Sequence, residues 1–213
     1  STRSMLKKAQ QGGYAVGAFN VENMEMVQAV IAAAQEMNAP VMIQTTPGTV
    51  RYAGLDLYYA MVSALAQKAE IPVALHLDHG ESFEMARDAA RTGYTSVMID
   101  GSRLPFAENA ALTRRVAETA HRAGVSVEGE LGRLAGNEGD EDVTQEESFQ
   151  TDPEEARRFA EETGVDALAV SIGTVHGAYR FAPKINIARL REISEAVSRP
   201  LVMHGGSGTP EEK

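Results

Sequence analysis

The sequence predicts a parallel α/β protein, and among such folds it favours a (β/α)8 TIM barrel. Short apolar or β-branched runs alternate with longer segments of helical periodicity over the whole length. With 213 residues and no linker or low-complexity tract, the chain matches the roughly 200 to 250 residues of a single-domain α/β barrel. We therefore expect one domain over residues 1–213.

Seven strands and six helices are predicted in alternation. The strands are Tyr14 to Phe19, Pro40 to Thr45, Val73 to Leu77, Ser96 to Ile99, Val125 to Leu131, Ala167 to Ile172 and Pro200 to Met203. The helices cover 23–37, 55–69, 82–92, 107–123, 153–163 and 187–197. Asn23, Ser82 and Asp152 are typical N-caps, and Gly93, Gly124 and Gly164 stand where helices should end.

The positions of the polar residues distinguish a barrel from an open doubly wound sheet, which also fits the alternation. No Gly-x-Gly-x-x-Gly motif follows the first strand, which weighs against a dinucleotide-binding sheet. Polar side chains instead follow the carboxyl ends of successive strands, which converge on one face of a barrel. They are Asn20, Thr45, Asp78, His79, Asp100, Glu130 and His204.

Composition excludes several classes of function. A net charge of -10 argues against binding along a nucleic-acid backbone. No window approaches 18 uninterrupted apolar residues, so we expect no membrane span. Without cysteine there is no disulfide framework and no thiol nucleophile, and a metal site must use histidines and carboxylates. We expect a cytoplasmic protein.

Three of the five histidines follow apolar, strand-like runs and stand beside glycines: His79, His176 and His204. Three imidazoles that leave a fourth position open are typical of catalytic zinc. Taken singly, each could be a hydrogen-bonded packing residue. Together with the carboxylates at the same predicted barrel face, they favour a metal site.

The other residues near these histidines allow more than one interpretation. Asp78, beside His79, could act as an acid or base, or it could orient an imidazole. His76 shares its strand face with Asp78 and is predicted to be buried and structural. His121, on a helix among polar residues, is predicted to face solvent.

Two glycine-rich segments could complete a site. The acidic segment from Gly132 to Gln150 shows no strong periodicity, so it is either a mobile lid or a solvated loop. The run from Gly205 to Gly208 follows the seventh strand and precedes Thr209-Pro210, a helix start. Barrels often bind phosphate in the loops after strands seven and eight, so this run is a candidate phosphate cradle.

At the level of whole motifs, the sequence closely resembles the class II, metal-dependent ketose-bisphosphate aldolases. The resemblance runs from the first strand to the last residue, and five ordered motifs carry it: Ala74-Leu75-His76-Leu77-Asp78-His79-Gly80, Ser96-Val97-Met98-Ile99-Asp100-Gly101-Ser102, Ser126-Val127-Glu128-Gly129-Glu130-Leu131-Gly132, Gly173-Thr174-Val175-His176-Gly177 and His204-Gly205-Gly206-Ser207-Gly208. It implies a (β/α)8 barrel that reversibly cleaves a ketose 1,6-bisphosphate into dihydroxyacetone phosphate and glyceraldehyde 3-phosphate.

The resemblance also implies roles for single residues and a set of bound ions. His79, His176 and His204 match zinc ligands, Asp78 matches the acid/base at the C4 oxygen, and Glu138 matches the carboxylate that moves the dihydroxyacetone phosphate proton. Asp100 and Glu130 match carboxylates near the metal that hold a second divalent cation in some members. Substrate contacts match Asn20, Gly177, Gly205, Gly206 and Ser207, with a monovalent cation such as Na⁺ or K⁺ nearby.

In this family the bound metal ion takes the place of the Schiff-base lysine that the other class of aldolases uses. Lys7, Lys8 and Lys68 belong to helical patterns, and Lys184, in a loop, is the one ambiguous lysine.

We expect a homodimer or homotetramer with a place in carbohydrate metabolism and glycolysis.

Substrate choice stays open between tagatose and fructose 1,6-bisphosphate. The segments Thr45 to Thr49 and Glu130 to Leu134 look more like the tagatose-bisphosphate branch, whereas other motifs are shared with fructose-bisphosphate and inositol-catabolic members. The alternatives are an aldolase of the inositol-catabolic type, a barrel with another reaction on a phosphorylated sugar, and a non-catalytic accessory subunit.

The sequence departs from the family pattern in one respect. The family's eighth strand, with its substrate-contacting Asn-x-x-Thr type segment, and the helices after it are absent from these 213 residues. We therefore expect the sequence to be most of a longer chain, and by itself poorly stable and of low activity.

Overall fold

The computed structural model describes residues 2–133, 135–138, 141–143, 149–177 and 184–209, with the main chain alone for 135–138 and 141–143. The strands are β1 Gly17–Asn20, β2 Val41–Thr45, β3 Val73–Gly80, β4 Ser96–Ile99, β5 Ser126–Leu131, β6 Ala135–Glu138, β7 Glu141–Val143, β8 Ala167–Val170, β9 Val175–His176 and β10 Leu201–Val202. The α-helices are α1 Thr2–Gly12, α2 Met24–Glu36, α3 Pro47–Ala53, α4 Leu55–Ala66, α5 Phe83–Thr92, α6 Phe106–Arg122, α7 Pro153–Thr163 and α8 Ile187–Ala196, and a 3₁₀ turn covers Gly206–Gly208.

Seven parallel strands form the main sheet, in the order β1-β2-β3-β4-β5-β8-β10. Each strand thus lies beside the next of the seven predicted from the sequence, as consecutive β/α units of a (β/α)8 barrel do. The predicted fold class is confirmed. Among the described residues the structure shows no eighth strand in this sheet.

The chain divides into two compact units. The first consists of Ser1–Ile99 with Val116–Val127, and the second of Asp100–Arg115 with Glu128–Lys213. The first contains β1 to β4 with the helices between them, and the second contains β8 to β10 with α7 and α8. One domain over 1–213 stays a prediction.

The predicted helix ends are confirmed by capping contacts. Asn23 Oδ1 accepts from Met26 N at 2.9 Å, and Ser82 Oγ accepts from Met85 N at 3.2 Å, so each side chain satisfies an amide that the helix leaves open. Asp152 Oδ1 accepts from two amides of α7 in the same way. Gly93 and Gly164 adopt the left-handed conformation that ends α5 and α7.

The structure has elements outside the predicted helices and strands: α1, α3, β9 and the β6–β7 hairpin. Thr46 caps α3, with Pro47 at its first position, in a stretch too short for a helical repeat to show. In the segment from Gly132 to Gln150, β6 and β7 pair as an antiparallel hairpin, and β6 also pairs with β9. Because β6 joins a strand distant in the sequence, tertiary pairing rather than local pattern decides this hairpin.

The strands that carry the candidate site are largely buried. All residues of β2, β4, β5 and β8 are buried, as parallel strands covered on both faces should be. By contrast, all four residues of β1, at one edge of the strand order, are exposed. None of the helices formed by the described residues is long and apolar enough to cross a bilayer.

Candidate active site

A β-bulge near the carboxyl end of β3 places Asp78 and His79. Leu77 pairs with Val97 and Gly80 pairs with Ile99, so two residues of β3 lie opposite the single residue Met98 of β4. His79 takes up the extra residue in a left-handed conformation, with φ of 47°. A non-glycine residue in this conformation is uncommon, and such backbone strain is concentrated at functional sites.

The bulge brings two consecutive side chains together. In a regular strand Asp78 and His79 would point to opposite faces. Here His79 Nε2 lies 3.9 Å from Asp78 Oδ1, and both side chains are largely buried. The sequence predicted that His79 stands just past the end of the strand, whereas it lies inside β3, within the bulge.

Two contacts with Met98 fix this geometry. The His79 amide donates to Met98 Sδ at 3.3 Å. At Gly80 a Cβ atom would stand only 2.4 Å from the carbonyl oxygen of Met98, so no side chain fits without moving the main chain. The glycine of the Asp78-His79-Gly80 motif is therefore required by the close approach of β4.

One oxygen of Asp78 is held by a buried glutamine. Gln44 Nε2 donates to Asp78 Oδ1 at 3.0 Å, and the two residues are 8% and 4% exposed. Gln44 pairs in register with His76, so it points to the same face as His76 and Asp78. Gln44 was not among the predicted site residues, although a polar residue inside an otherwise apolar strand was a usable signal.

Polar residues close to these strands are structural. His76 is fully buried and its Nδ1 lies 2.9 Å from Ser96 Oγ, which confirms the structural role predicted for it. Tyr94 lies 3.0 Å from Thr45 Oγ1 through its hydroxyl, and burial raises the pKa of Tyr94 to about 12. Because its phenol stays neutral across the physiological range, Tyr94 adds no charge to this part of the unit. His121 is exposed on α6, as predicted.

In the second unit, His176 and His204 form an edge-to-face ring pair with centroids 5.8 Å apart. His204 Nε2 also lies 2.8 Å from Glu128 Oε1. Gly205 has a left-handed φ of 68°, and a Cβ atom there would stand 2.6 Å from the carbonyl oxygen of Val175. The turn after His204 thus packs directly on the main chain that carries His176.

The main chain beside Asp100 and Glu130 is organised by Asn109 of α6, which is 1% exposed. Asn109 Nδ2 donates to the main-chain oxygen of Glu130 at 2.9 Å. A Cβ atom at Gly101 would stand 2.3 Å from Asn109 Oδ1, so the turn after Asp100 packs on the same amide. Ser102 N donates to Asp100 Oδ1 at 2.9 Å, which fixes that carboxylate within its turn.

The remaining predicted site residues lie at strand ends and turns. Asn20 ends β1 and is exposed, and Gly177, Gly206 and Ser207 are exposed as well. Glu138 is the last residue of β6, and its side chain lies outside the described part of the chain. The pairing of Gly136 with His176 nevertheless connects the main chain of the Glu138 strand to that of a predicted metal ligand. The predicted helix start at Pro210 lies outside the described residues, and Gly206–Gly208 forms the 3₁₀ turn before it.

Each unit contains side chains of the types that bind metal ions. His79 is in the first unit, and the second contains His176, His204, Asp100 and Glu130. Three neutral imidazoles suit zinc, whereas a set rich in carboxylate oxygen also suits harder divalent ions. The assignment of these residues as metal ligands stays a prediction.

Comparison with known proteins gives a consistent result. The profile of the family "Fructose-bisphosphate aldolase class-II" matches residues 1–213. The YdjI aldolase from Escherichia coli K12 is 38% identical, with a TM-score of 0.88 over 100% of this chain and 75% of that one. A candidate fructose-1,6-biphosphate aldolase from Coccidioides immitis is 34% identical, with a TM-score of 0.89 over 95% and 72% of the two chains. The fructose-bisphosphate aldolase from Campylobacter jejuni is 25% identical, with a TM-score of 0.80 over 97% and 69%.

The bulge generates the first prediction. We expect Gly80→Ala to displace the main chain of Met98 or to disrupt the bulge, because the added methyl group would collide with the carbonyl oxygen of Met98. Overpacking of this kind costs about 1 to 3 kcal/mol. The expected result is a lower melting temperature together with less bound divalent metal, measured by differential scanning calorimetry and elemental analysis.

Gly48→Ala in α3 is the matched control, since the nearest atom to its added methyl would be Thr46 Oγ1 at 3.7 Å. The control should retain metal content and stability. If Gly80→Ala kept both as well, the bulge would not be what positions His79.

Proposed function

Because the chain belongs to the class II fructose-bisphosphate aldolase family, we propose that this lyase reversibly cleaves a ketose 1,6-bisphosphate into dihydroxyacetone phosphate and glyceraldehyde 3-phosphate. The observation that carries the proposal is the bulge in β3. It holds a buried carboxylate, with one oxygen bound to Gln44, 3.9 Å from the imidazole of a predicted metal ligand. An acid/base group beside a cation is what proton transfer next to a developing oxyanion requires.

The histidine set His79, His176 and His204 is proposed to bind zinc. The donor chemistry supports this, since neutral imidazoles leave the full positive charge on the ion and a fourth position for substrate. Bound there, the ion would act as a Lewis acid that stabilises the enediolate left by cleavage. Asp100 and Glu130 would serve a second divalent cation, and a monovalent cation near Gly177 and Gly205 stays a prediction from sequence.

Asp78 is proposed to exchange the proton of the C4 oxygen. In the cleavage direction its carboxylate accepts the proton of the C4 hydroxyl while the C3–C4 bond breaks, which leaves the aldehyde of glyceraldehyde 3-phosphate. Gln44 supports this role because its donation to Oδ1 orients the carboxylate. Glu138 would then return a proton to the carbon of dihydroxyacetone phosphate.

The glycine-rich turn after His204 is proposed to bind the phosphate of dihydroxyacetone phosphate. Gly205, Gly206 and Ser207 present main-chain amides with little side-chain bulk, and the 3₁₀ turn follows directly after His204. Asn20 and Gly177 are proposed as further substrate contacts. A cytoplasmic homodimer or homotetramer stays a prediction.

The test of the proposed function is a direct rate comparison on two substrates. Purified full-length protein with zinc is assayed on tagatose and fructose 1,6-bisphosphates, with triose phosphate release coupled to NADH oxidation. We expect cleavage of at least one substrate and its loss on chelation with EDTA, with recovery when zinc is restored. Activity that persisted in EDTA and was trapped by borohydride would indicate Schiff-base chemistry instead. The ratio of the two kcat/KM values assigns the branch, for which the motifs favour tagatose bisphosphate.

Asp78→Asn separates proton transfer from metal binding. The amide retains the shape of the side chain and an oxygen for Gln44, but it cannot accept the proton. We expect kcat to fall by about 10²- to 10⁴-fold while zinc content stays at the wild-type level, measured by steady-state kinetics and elemental analysis. His176→Ala is the contrasting variant and should lose zinc and activity together. Wild-type turnover in Asp78→Asn would exclude Asp78 as the acid/base.

Gln44→Leu tests whether orientation of Asp78 matters. A hydrogen bond to a charged group contributes about 1.5 to 3 kcal/mol, so its removal should lower kcat by roughly 10- to 100-fold. Zinc content should not change, because the contact shown for Gln44 is with Asp78. Gln67→Leu, at the C-cap of α4, is the matched control, and an equal loss in that variant would point to a general effect on folding.

A further inference from the structure

Glu128 stands inside the second unit with no role yet assigned to it. It lies on β5, a strand buried along its whole length, two residues before Glu130. Its Oε1 atom is 2.8 Å from His204 Nε2, and the two side chains are 4% and 7% exposed. We propose that Glu128 is a positioning residue that fixes the tautomer and ring orientation of His204 for metal binding. The proposal rests on the assignment of His204 as a ligand in the proposed function.

The tautomer follows from the chemistry of the pair. An ionised carboxylate can only accept hydrogen bonds, so His204 must carry its proton on Nε2. In the neutral ring the lone pair is then on Nδ1, which is the nitrogen left to bind a cation. Glu128 thereby selects Nδ1, rather than Nε2, as the donor atom of His204.

The ring orientation follows from two contacts on opposite sides of His204. The bond to Glu128 fixes the Nε2 edge, and the close approach of Gly205 to Val175 fixes the main chain that follows the histidine. A ring held at both places has little freedom to rotate. Its position 5.8 Å from the ring of His176 is therefore set before a metal arrives.

Burial explains why a carboxylate is suited to this position. A charged carboxylate is costly to remove from water unless it is paired, and the pair is stronger at low dielectric. A histidine ligand bonded to a carboxylate is also a more basic donor, and loss of such a partner typically lowers metal affinity by about 10- to 100-fold. The same pair adds negative charge beside the proposed cation.

Zinc affinity measured by competition with a chromophoric chelator tests this role in the full-length protein. We expect Glu128→Gln to bind zinc about 10- to 100-fold more weakly than wild type and to shift the visible spectrum of the Co²⁺-loaded protein. Glu162→Gln, the same chemical change at an exposed residue of α7 that pairs with Arg114 and Arg158, is the matched control. Wild-type affinity and an unchanged cobalt spectrum in Glu128→Gln would overturn the proposal.

A second measurement determines the protonation of His204 in the wild-type protein, so it does not depend on whether a variant folds. In the metal-free wild-type protein, long-range ¹H–¹⁵N NMR should show His204 protonated at Nε2, with an imidazole proton protected from exchange. A neutral ring that carries its proton on Nδ1, with Nε2 unprotonated, would overturn the proposal. Because both tests read metal binding and tautomer rather than turnover, they are independent of aldolase activity. A protein that binds zinc in this way yet cleaves no ketose bisphosphate would refute the proposed function and leave the role of Glu128 standing.

Discussion

The two-against-one pairing of β3 with Met98 is the constraint on which the candidate site depends. A regular strand cannot turn two consecutive side chains toward each other, because alternation sends them to opposite faces. The extra residue at His79 removes that restriction and brings its imidazole to 3.9 Å from Asp78. The left-handed conformation at His79 costs about 1 to 3 kcal/mol, which the surrounding parallel sheet must offset.

Glycines and buried side-chain amides position the candidate site residues. Gly80, Gly101 and Gly205 all stand where a Cβ atom would meet another atom at 2.6 Å or less, so each lets two segments approach more closely than any side chain permits. Gln44 donates to the Asp78 carboxylate in the first unit, and Asn109 donates to the main-chain oxygen of Glu130 in the second. Asp78 and Asp100 are thus held by uncharged amides, whereas the ring of His204 is held by the carboxylate of Glu128.

Prediction from sequence succeeded where a local signal existed. Six helices, seven strands and three N-caps were marked by periodicity and by single residues such as Asn23 and Ser82, and the structure has them within a few residues. Gln44 and Glu128 were missed as functional residues because their partners are distant in the sequence. Gln44 Nε2 contacts a residue 34 positions away, and Glu128 contacts one 76 positions away. The β6–β7 hairpin was missed for the same reason, since one of its strands pairs with β9.

The sequence by itself determined the parallel α/β class, the order of the strands and the identity of the candidate donors, because hydrophobic period and residue type are local properties. Only the tertiary structure decided how these candidate metal-binding side chains are oriented. The bulge at Asp78 and His79 exists because β4 runs alongside β3, and the ring of His204 has a partner because β5 brings a carboxylate to it. Both depend on register and close approach between segments, which no single stretch of sequence encodes.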